Sequence, residues 1–170
     1  MTRETIAIEE GYSPGCVGRI VELHGKYYAE HQGFGPYFEG KVARELGEFC
    51  TRYARGRDGL WVAWRGGAIE GSIAIDGSDA SCARLRWFIV SDALRGTGVG
   101  TRLIRAALDF CRSSGCRRVR LVTFSSLHAA LHLYVKHGFR LVREERGSNW
   151  GKEMMEQEYE LVIPALARPG

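Results

Sequence analysis

The chain has 170 residues, 45% hydrophobic and 26% charged, with 24 Lys and Arg against 20 Asp and Glu and a formal net charge of +4. These proportions fit one globular domain with a substantial core and exclude a low-complexity chain, and no apolar run approaches the roughly 20 residues that span a bilayer. Five scattered cysteines without a Cys-x-x-Cys pair argue against a disulfide framework and structural zinc, and for a reducing, cytoplasmic setting.

In chain order, the alternating TIAIEE reads as a first strand, and MTRETIAIEE has no basic segment followed by an apolar one, so no signal peptide is expected. GCVGRIVELHGKYYAEHQ sets Val17, Ile20, Val21, Leu23, His24, Tyr27 and Tyr28 at helical spacing. GFGP ends that helix, and YFEGKVARELGEFCTRYA forms a second with Phe38, Val42, Leu46 and Phe49 on one stripe. GLWVAWRGGAIEGSIAID reads as a hairpin with strands near 60–65 and 68–76 about a glycine turn. In the next strand, CARLRWFIV, Leu85, Trp87 and Ile89 are expected on one face and Arg84, Arg86 and Phe88 on the other.

TRLIRAALDFCRSSG is an amphipathic helix with Leu103, Ile104, Ala107, Leu108 and Cys111 inward and Gly115 as its stop. RRVRLVTF is a strand, and SSLHAALHLYVKHGF a helix expected to be capped by Ser125 or Ser126 and to end at Gly138. RLVREER and EQEYELVI close the sheet as an antiparallel pair. The order is β-α-α-β-β-β-α-β-α-β-β, whose central β-α-β unit requires one parallel pair with a right-handed crossover. The fold class is therefore α/β (α+β): a mixed, mostly antiparallel sheet with a single central parallel pair and helices on both faces, in one domain over 1–170.

Glycines alternate at Gly96, Gly98 and Gly100, between the strand FIV and the helix that begins at TRLIRAALDFC. The first four backbone N–H groups of a helix lack internal partners and carry partial positive charge. Small residues there let a phosphate approach, and Arg95 and Arg102 flank the segment, so it reads as a pyrophosphate cradle. Gly-Lys-Ser/Thr is absent, as is a G-x-G-x-x-G fingerprint with a later acidic residue, which sets aside the nucleoside-triphosphate loop and the dinucleotide fold. A bare glycine turn is the plain alternative. Arginines at 84, 86, 95, 102, 105, 112, 117, 118 and 120 suit an anionic small molecule at least as well as nucleic acid, or simply a solvated basic surface.

Arg95-Gly96-Thr97-Gly98-Val99-Gly100 fits the pattern Gln/Arg-x-x-Gly-x-Gly/Ala, and AALHLYVKHGF follows some thirty residues later. In these two segments the chain resembles the GNAT superfamily of N-acetyltransferases over about 60–163. IVELHGKYYAEHQGFGPYFEGKVARELGEF and GFRLVREERGSNWGKEMMEQEYEL further resemble the acetyltransferase half of fusions with winged-helix regulators of the MarR type. The resemblance implies a GNAT-like fold in which 1–58 serve the acceptor side, 59–146 bind acetyl-CoA, and 147–170 supply a last loop, closing strand and tail.

It also implies direct transfer of an acetyl group from acetyl-CoA, as cosubstrate and without a metal, to a primary amine of a small molecule or peptide. The backbone of Phe88, Ile89 and Val90 would hold the pantetheine in a slot where two parallel strands splay apart. Arg95, Gly96, Thr97, Gly98, Val99, Gly100, Thr101 and Arg102 would hold the pyrophosphate, with Lys136 as a further cofactor contact. Tyr134 matches the general acid that protonates the departing thiolate, a role suited to a phenol titrating near about 10. A core tyrosine with a satisfied hydroxyl is the other reading.

Many relatives place a glutamate on the strand before the glycine loop; this chain has Arg84 and Arg86 there, so the base stays open among Glu9, His24, Glu39, Glu70 and Glu158. His128, His132 and His137 read as surface or capping residues. The acceptor side is expected to use His24, Tyr27, Tyr28, Phe34, Phe38, Glu39 and Trp150, where aromatics can hold an amine by cation–π contact. A non-catalytic acyl-CoA sensor or interaction module is the alternative function. Neither a membrane nor nucleic acid is expected as a partner, and a homodimer is left open.

Overall fold

A computed structural model describes residues 4–165, so the tail at 166–170 and the first three residues lie outside the described chain. The elements are β1 (Ala7–Glu10), α1 (Cys16–Gln32), α2 (Pro36–Thr51), β2 (Gly59–Arg65), β3 (Ala68–Asp76), β4 (Ala83–Val90), a short 3-10 turn (Asp92–Leu94), α3 (Val99–Ser113), β5 (Arg118–Phe124), α4 (His128–Lys136), β6 (Arg140–Gly147) and β7 (Met154–Val162). The seven strands form one sheet in the order β1-β2-β3-β4-β5-β7-β6, antiparallel everywhere except between β4 and β5. The element order and the central parallel pair are those expected from hydrophobic periodicity and the crossover rule.

Two cores lie on the two faces of the sheet. One holds Trp61, Ile73, Ile75 and Leu85 with the inner face of α3, where Leu103, Ile104, Ala107, Leu108 and Cys111 are at most 2% exposed. The other holds Leu60, Val62 and Ala74 with Ile20 of α1 and the full α2 stripe of Phe38, Val42, Leu46 and Phe49. Each large side chain fully buried here stabilises the fold by roughly 1.5–3 kcal/mol.

Two sequence expectations fail locally. Strict alternation along β4 breaks: Leu85 packs in the α3 core, Trp87 in the α1–α2 core, and Phe88 and Val90 return to the α3 side. The reason is a bulge, because three steps of β4 from Arg86 to Ile89 face only two of β3 from Ala74 to Ser72. Trp87 adopts a φ of +47°, which a non-glycine residue adopts at a cost of about 1–2 kcal/mol, and the Ser72 hydroxyl donates to its carbonyl at 2.7 Å. The second failure is the cap of α4. Its N-cap position is Leu127, without a side-chain hydrogen bond, and the Ser126 hydroxyl instead bonds Gln32 Oε1 at 3.1 Å, tying the start of α4 to the end of α1.

Candidate functional site

The β4–β5 ladder consists of two register pairs, Ala83 with Val119 and Arg84 with Arg120, and beyond them the strands diverge. The β4 edge after Arg84 therefore has no strand partner on that side. A groove of about 750 Å³ runs from this opening over the start of α3. Phe88, Ile89, Val90, Arg95, Gly96, Gly98, Val99, Gly100 and Thr101 line one wall, and Tyr27, Tyr28, His31 and the first turns of α4 line the other.

The glycines of the segment answer different needs. Gly96 and Gly98 have φ of +72° and +78°, and a Cβ on either would meet nothing within 4 Å. The chain turns sharply there while leaving the space above the helix start open. Gly100 is a packing position: a Cβ would lie 3.3 Å from Leu133 Cδ1 and close to Phe88 and Val90. The first helical N–H to find a partner is that of Arg102, which bonds the Gly98 carbonyl at 3.2 Å. The N–H groups of Val99, Gly100 and Thr101 precede it and carry the positive end of the α3 dipole. An extended group bearing phosphates fits this arrangement.

A second cavity, about 100 Å³, adjoins the groove and shares Tyr28, Phe88, Leu127 and Ala130 with it. Tyr134 lines this inner cavity and is 5% exposed, its ring against Phe88 and Phe139 with centroids 6.0 and 5.9 Å away. Burial, and then the neighbouring Tyr28, push its phenol above the usual tyrosine range, so the group holds its proton at all working pH. A value near 10, expected from sequence, is therefore displaced upward.

His24 also lines the inner cavity. Its Nδ1–H donates to the Ile20 carbonyl at 2.8 Å, since a carbonyl can only accept, and Nε2 is left as an acceptor. Burial drives its pKa down to about 4 against the weaker opposing effect of that bond. The imidazole is thus neutral from mildly acid pH upward. Because the folded pKa lies below the unfolded value near 6.5, the stability held by neutral His24 is complete above 6.5 and is lost as pH falls toward 4. That amounts to up to about 3 kcal/mol. Urea titrations at pH 7 and 4.5 should show this loss in the native chain and a much smaller one in His24→Gln; equal losses would show that His24 does not titrate this way.

Not every expected residue reaches the site. Thr97 turns its hydroxyl back to the Leu94 carbonyl, Lys136 is exposed at the end of α4, and Arg102 reaches the Ile6 carbonyl at 3.3 Å instead of the groove. Tyr28, Phe38 and Trp150 line the inner cavity and Tyr27 the groove. Phe34 is buried behind them against Tyr28, Phe38 and Phe124. Glu39 leans over Gly25, where a Cβ would come within 2.9 Å of its carboxyl group, and lines neither cavity. Of the five residues weighed as the base, His24 alone faces a cavity; Glu70 pairs with Arg19, Glu158 pairs with Arg120 and Arg143, and Glu9 lies exposed on β1.

Sequence reasoning missed Glu45, which lines the inner cavity. Its pKa is lowered in spite of burial, because Lys41 lies 2.6 Å away and Arg86 bonds it. The signal was present, since Glu45 falls three residues after Val42 on the apolar side of α2. Among the described residues no group of three or more His, Cys, Asp or Glu could hold a metal ion, and no helix is long and apolar enough to cross a membrane.

The model of the Acetyltransferase (GNAT) family matches residues 19–139. N-acetyltransferase 8 of Rattus norvegicus is 35% identical over 69% of this chain and 56% of its own length. An uncharacterized N-acetyltransferase of Methanocaldococcus jannaschii is 28% identical over 66% of this chain and 53% of its own. The chain spans about half the length of the curated relatives it matches. Among solved structures, an acetyltransferase from Streptococcus agalactiae superposes with a TM-score of 0.74 at 20% identity, covering 93% of this chain and 98% of that one. One from Salmonella typhimurium, solved with its cofactor acetyl-CoA, gives 0.71 at 16% identity and covers 98% of each.

Proposed function

The chain belongs to the Acetyltransferase (GNAT) family, and on that premise we propose that it moves an acetyl group from acetyl-CoA to a primary amine of a small molecule or peptide by direct attack in a ternary complex. The observation that carries the proposal is the junction of the two cavities. An open groove over a glycine-lined helix start meets a buried cavity holding a protonated tyrosine and a neutral histidine, and Tyr28, Phe88, Leu127 and Ala130 belong to both.

Acetyl-CoA supplies a thioester whose carbonyl carbon accepts the amine and whose sulfur leaves as thiolate. The backbone of Val99, Gly100 and Thr101 binds the pyrophosphate, and the unpaired β4 edge at 88–90 receives the pantetheine and polarises the carbonyl. Tyr28, Phe38 and Trp150 line the space that receives the amine. His24 Nε2 accepts a hydrogen bond from the amine but is too weakly basic to retain its proton, which passes on to water. The C–N bond forms as the C–S bond breaks, and Tyr134 gives its proton to the sulfur and recovers one from solvent.

Within the family, the stretches at 20–49 and 138–161 support a place near the acetyltransferase half of the MarR-type fusions, and the free cysteines a cytoplasmic setting. Incubation with acetyl-CoA and a panel of primary amines, read by mass spectrometry of the products, tests the assignment. Acetylated amine together with released coenzyme A is expected. Tight acetyl-CoA binding without any product would replace the transferase by an acyl-CoA sensor.

A further inference from the structure

The turn that ends α3 brings two thiols together. The Gly115 N–H donates to the Arg112 carbonyl at 3.3 Å, the Cys116 N–H donates to the Cys111 carbonyl at 2.9 Å, and Gly115 has a φ of +75°. A helix that closes on a left-handed residue makes this pair of bonds, and the residue after the glycine then packs against the third-last residue of the helix. Those two positions usually carry an apolar contact; here both are cysteines. The bond between their backbones keeps the two Cα atoms near the range of about 4.4–6.8 Å that a disulfide spans.

The side chains differ in access. Cys111 is fully buried in the α3 core, whereas Cys116 packs against that core and stays partly exposed. Burial raises the Cys111 pKa to about 12, and the Cys116 thiol adds to the rise through its charge and a hydrogen bond between the side chains. The Cys116 Sγ–H donates to the Arg118 carbonyl at 3.2 Å, and the Ile163 N–H fixes the intervening Arg117 carbonyl at 2.8 Å. By contrast, Cys50 feels Cys16 through charge alone.

We propose that Cys111 and Cys116 form a redox modification site, oxidised by a hydroperoxide to a reversible disulfide across the end of α3. The Cys116 sulfur attacks the near oxygen of the peroxide, so that an S–O bond forms as the O–O bond breaks. The Cys116 proton leaves with the far oxygen as an alcohol, or as water where the oxidant is hydrogen peroxide. Cys111 then attacks the sulfenic sulfur: the S–S bond forms, the S–O bond breaks, and the Cys111 proton departs with the hydroxyl as water. Two thiols are oxidised and one peroxide bond is reduced. Proximity supplies what the raised pKa takes from Cys111 as a nucleophile. The bridge diverts the exposed sulfenic acid from the irreversible sulfinic stage, and a thiol reductant restores both cysteines.

The test treats the reduced full chain with hydrogen peroxide, blocks the remaining thiols by alkylation and maps the peptides by mass spectrometry. Loss of two of the five free thiols is expected, with one linked peptide pair holding Cys111 and Cys116 and full return on adding dithiothreitol. Melting temperature should rise on bridging, because the unfolded chain loses freedom. Cys111→Ser should stop at a Cys116 sulfenic acid that dimedone traps, and Cys116→Ser should leave the buried Cys111 unoxidised over the same interval. Cys111→Ala keeps the buried position apolar and takes the place of the serine variant if that one unfolds. A bridge between other cysteines, sulfenic acid accumulating at Cys116 of the native chain, or oxidation of Cys111 at the native rate in Cys116→Ser would overturn the proposal. So would a fall in melting temperature on bridging, which would show that the turn does not accommodate the bond.

Discussion

Tyr134→Phe is expected to slow the chemical step by about 10²-fold or more, the usual scale for a positioned proton donor, with acetyl-CoA affinity and melting temperature nearly unchanged. The ring carries the packing, against Phe88 and Phe139, and phenylalanine keeps it. Tyr134 lines the inner cavity, and because burial raises its pKa it stays protonated as the thiolate leaves. The wild-type rate should therefore show no alkaline loss from this group up to about pH 10, the ordinary phenol value. Single-turnover rates and thermal melts on the same samples decide the matter. A variant that melts early yet acetylates at the native rate would make Tyr134 a packing residue.

Gly98→Glu should abolish measurable acetyl-CoA binding. The N-cap position of α3 has φ +78° and ψ +5°, and a side chain placed there projects into open space over the helix start. A carboxylate in that space occupies the anion position and adds its own repulsion to the phosphates. Backbone strain is a separate effect, of about 1–3 kcal/mol for a non-glycine residue in this region. Gly98→Ala carries the strain without the charge and so serves as the control. Calorimetry should find the alanine variant weakened and the glutamate variant silent. Salt should recover some binding in the latter, as screening predicts. Equal affinity in the two variants would remove the phosphates from this end of the groove.

Much of the fold was legible because its signals are local. The α2 stripe of Phe38, Val42, Leu46 and Phe49 is wholly buried, as its spacing requires, and the inner face of α3 is the one its sequence marks. The glycine segment was legible for the same reason, since backbone conformation and helix polarity depend on neighbours in sequence. Side-chain destinations at the site were less so. Arg102 lies on the first turn of α3, where a phosphate contact is natural, but the edge strand β1 runs close enough for the Ile6 carbonyl to take its guanidinium. Glu39 and Glu45 are both acidic residues of α2, six positions apart and so on different sides of the helix; the first packs over Gly25 of α1 and the second lines the cavity.

By itself the sequence determined the element order, the two-faced core, the need for one parallel pair and the strand–glycine–helix segment that marks the family, because periodicity, glycine conformation and crossover handedness act over a few residues or follow from connectivity alone. The tertiary structure decided where chemistry gathers. An extra residue at Trp87, with its carbonyl held by Ser72, reverses the faces of β4, so that Arg86 and Trp87 both turn toward α2 while Phe88 returns to the side of Tyr134. A strand of unbroken pleat would have put Phe88 on the same face as Arg86. Divergence of β4 from β5 after Arg84 then opens the sheet, and residues more than a hundred positions apart, His24 and Tyr134, come to line one cavity. Packing across the sheet determines such a meeting, and no spacing along the chain encodes it.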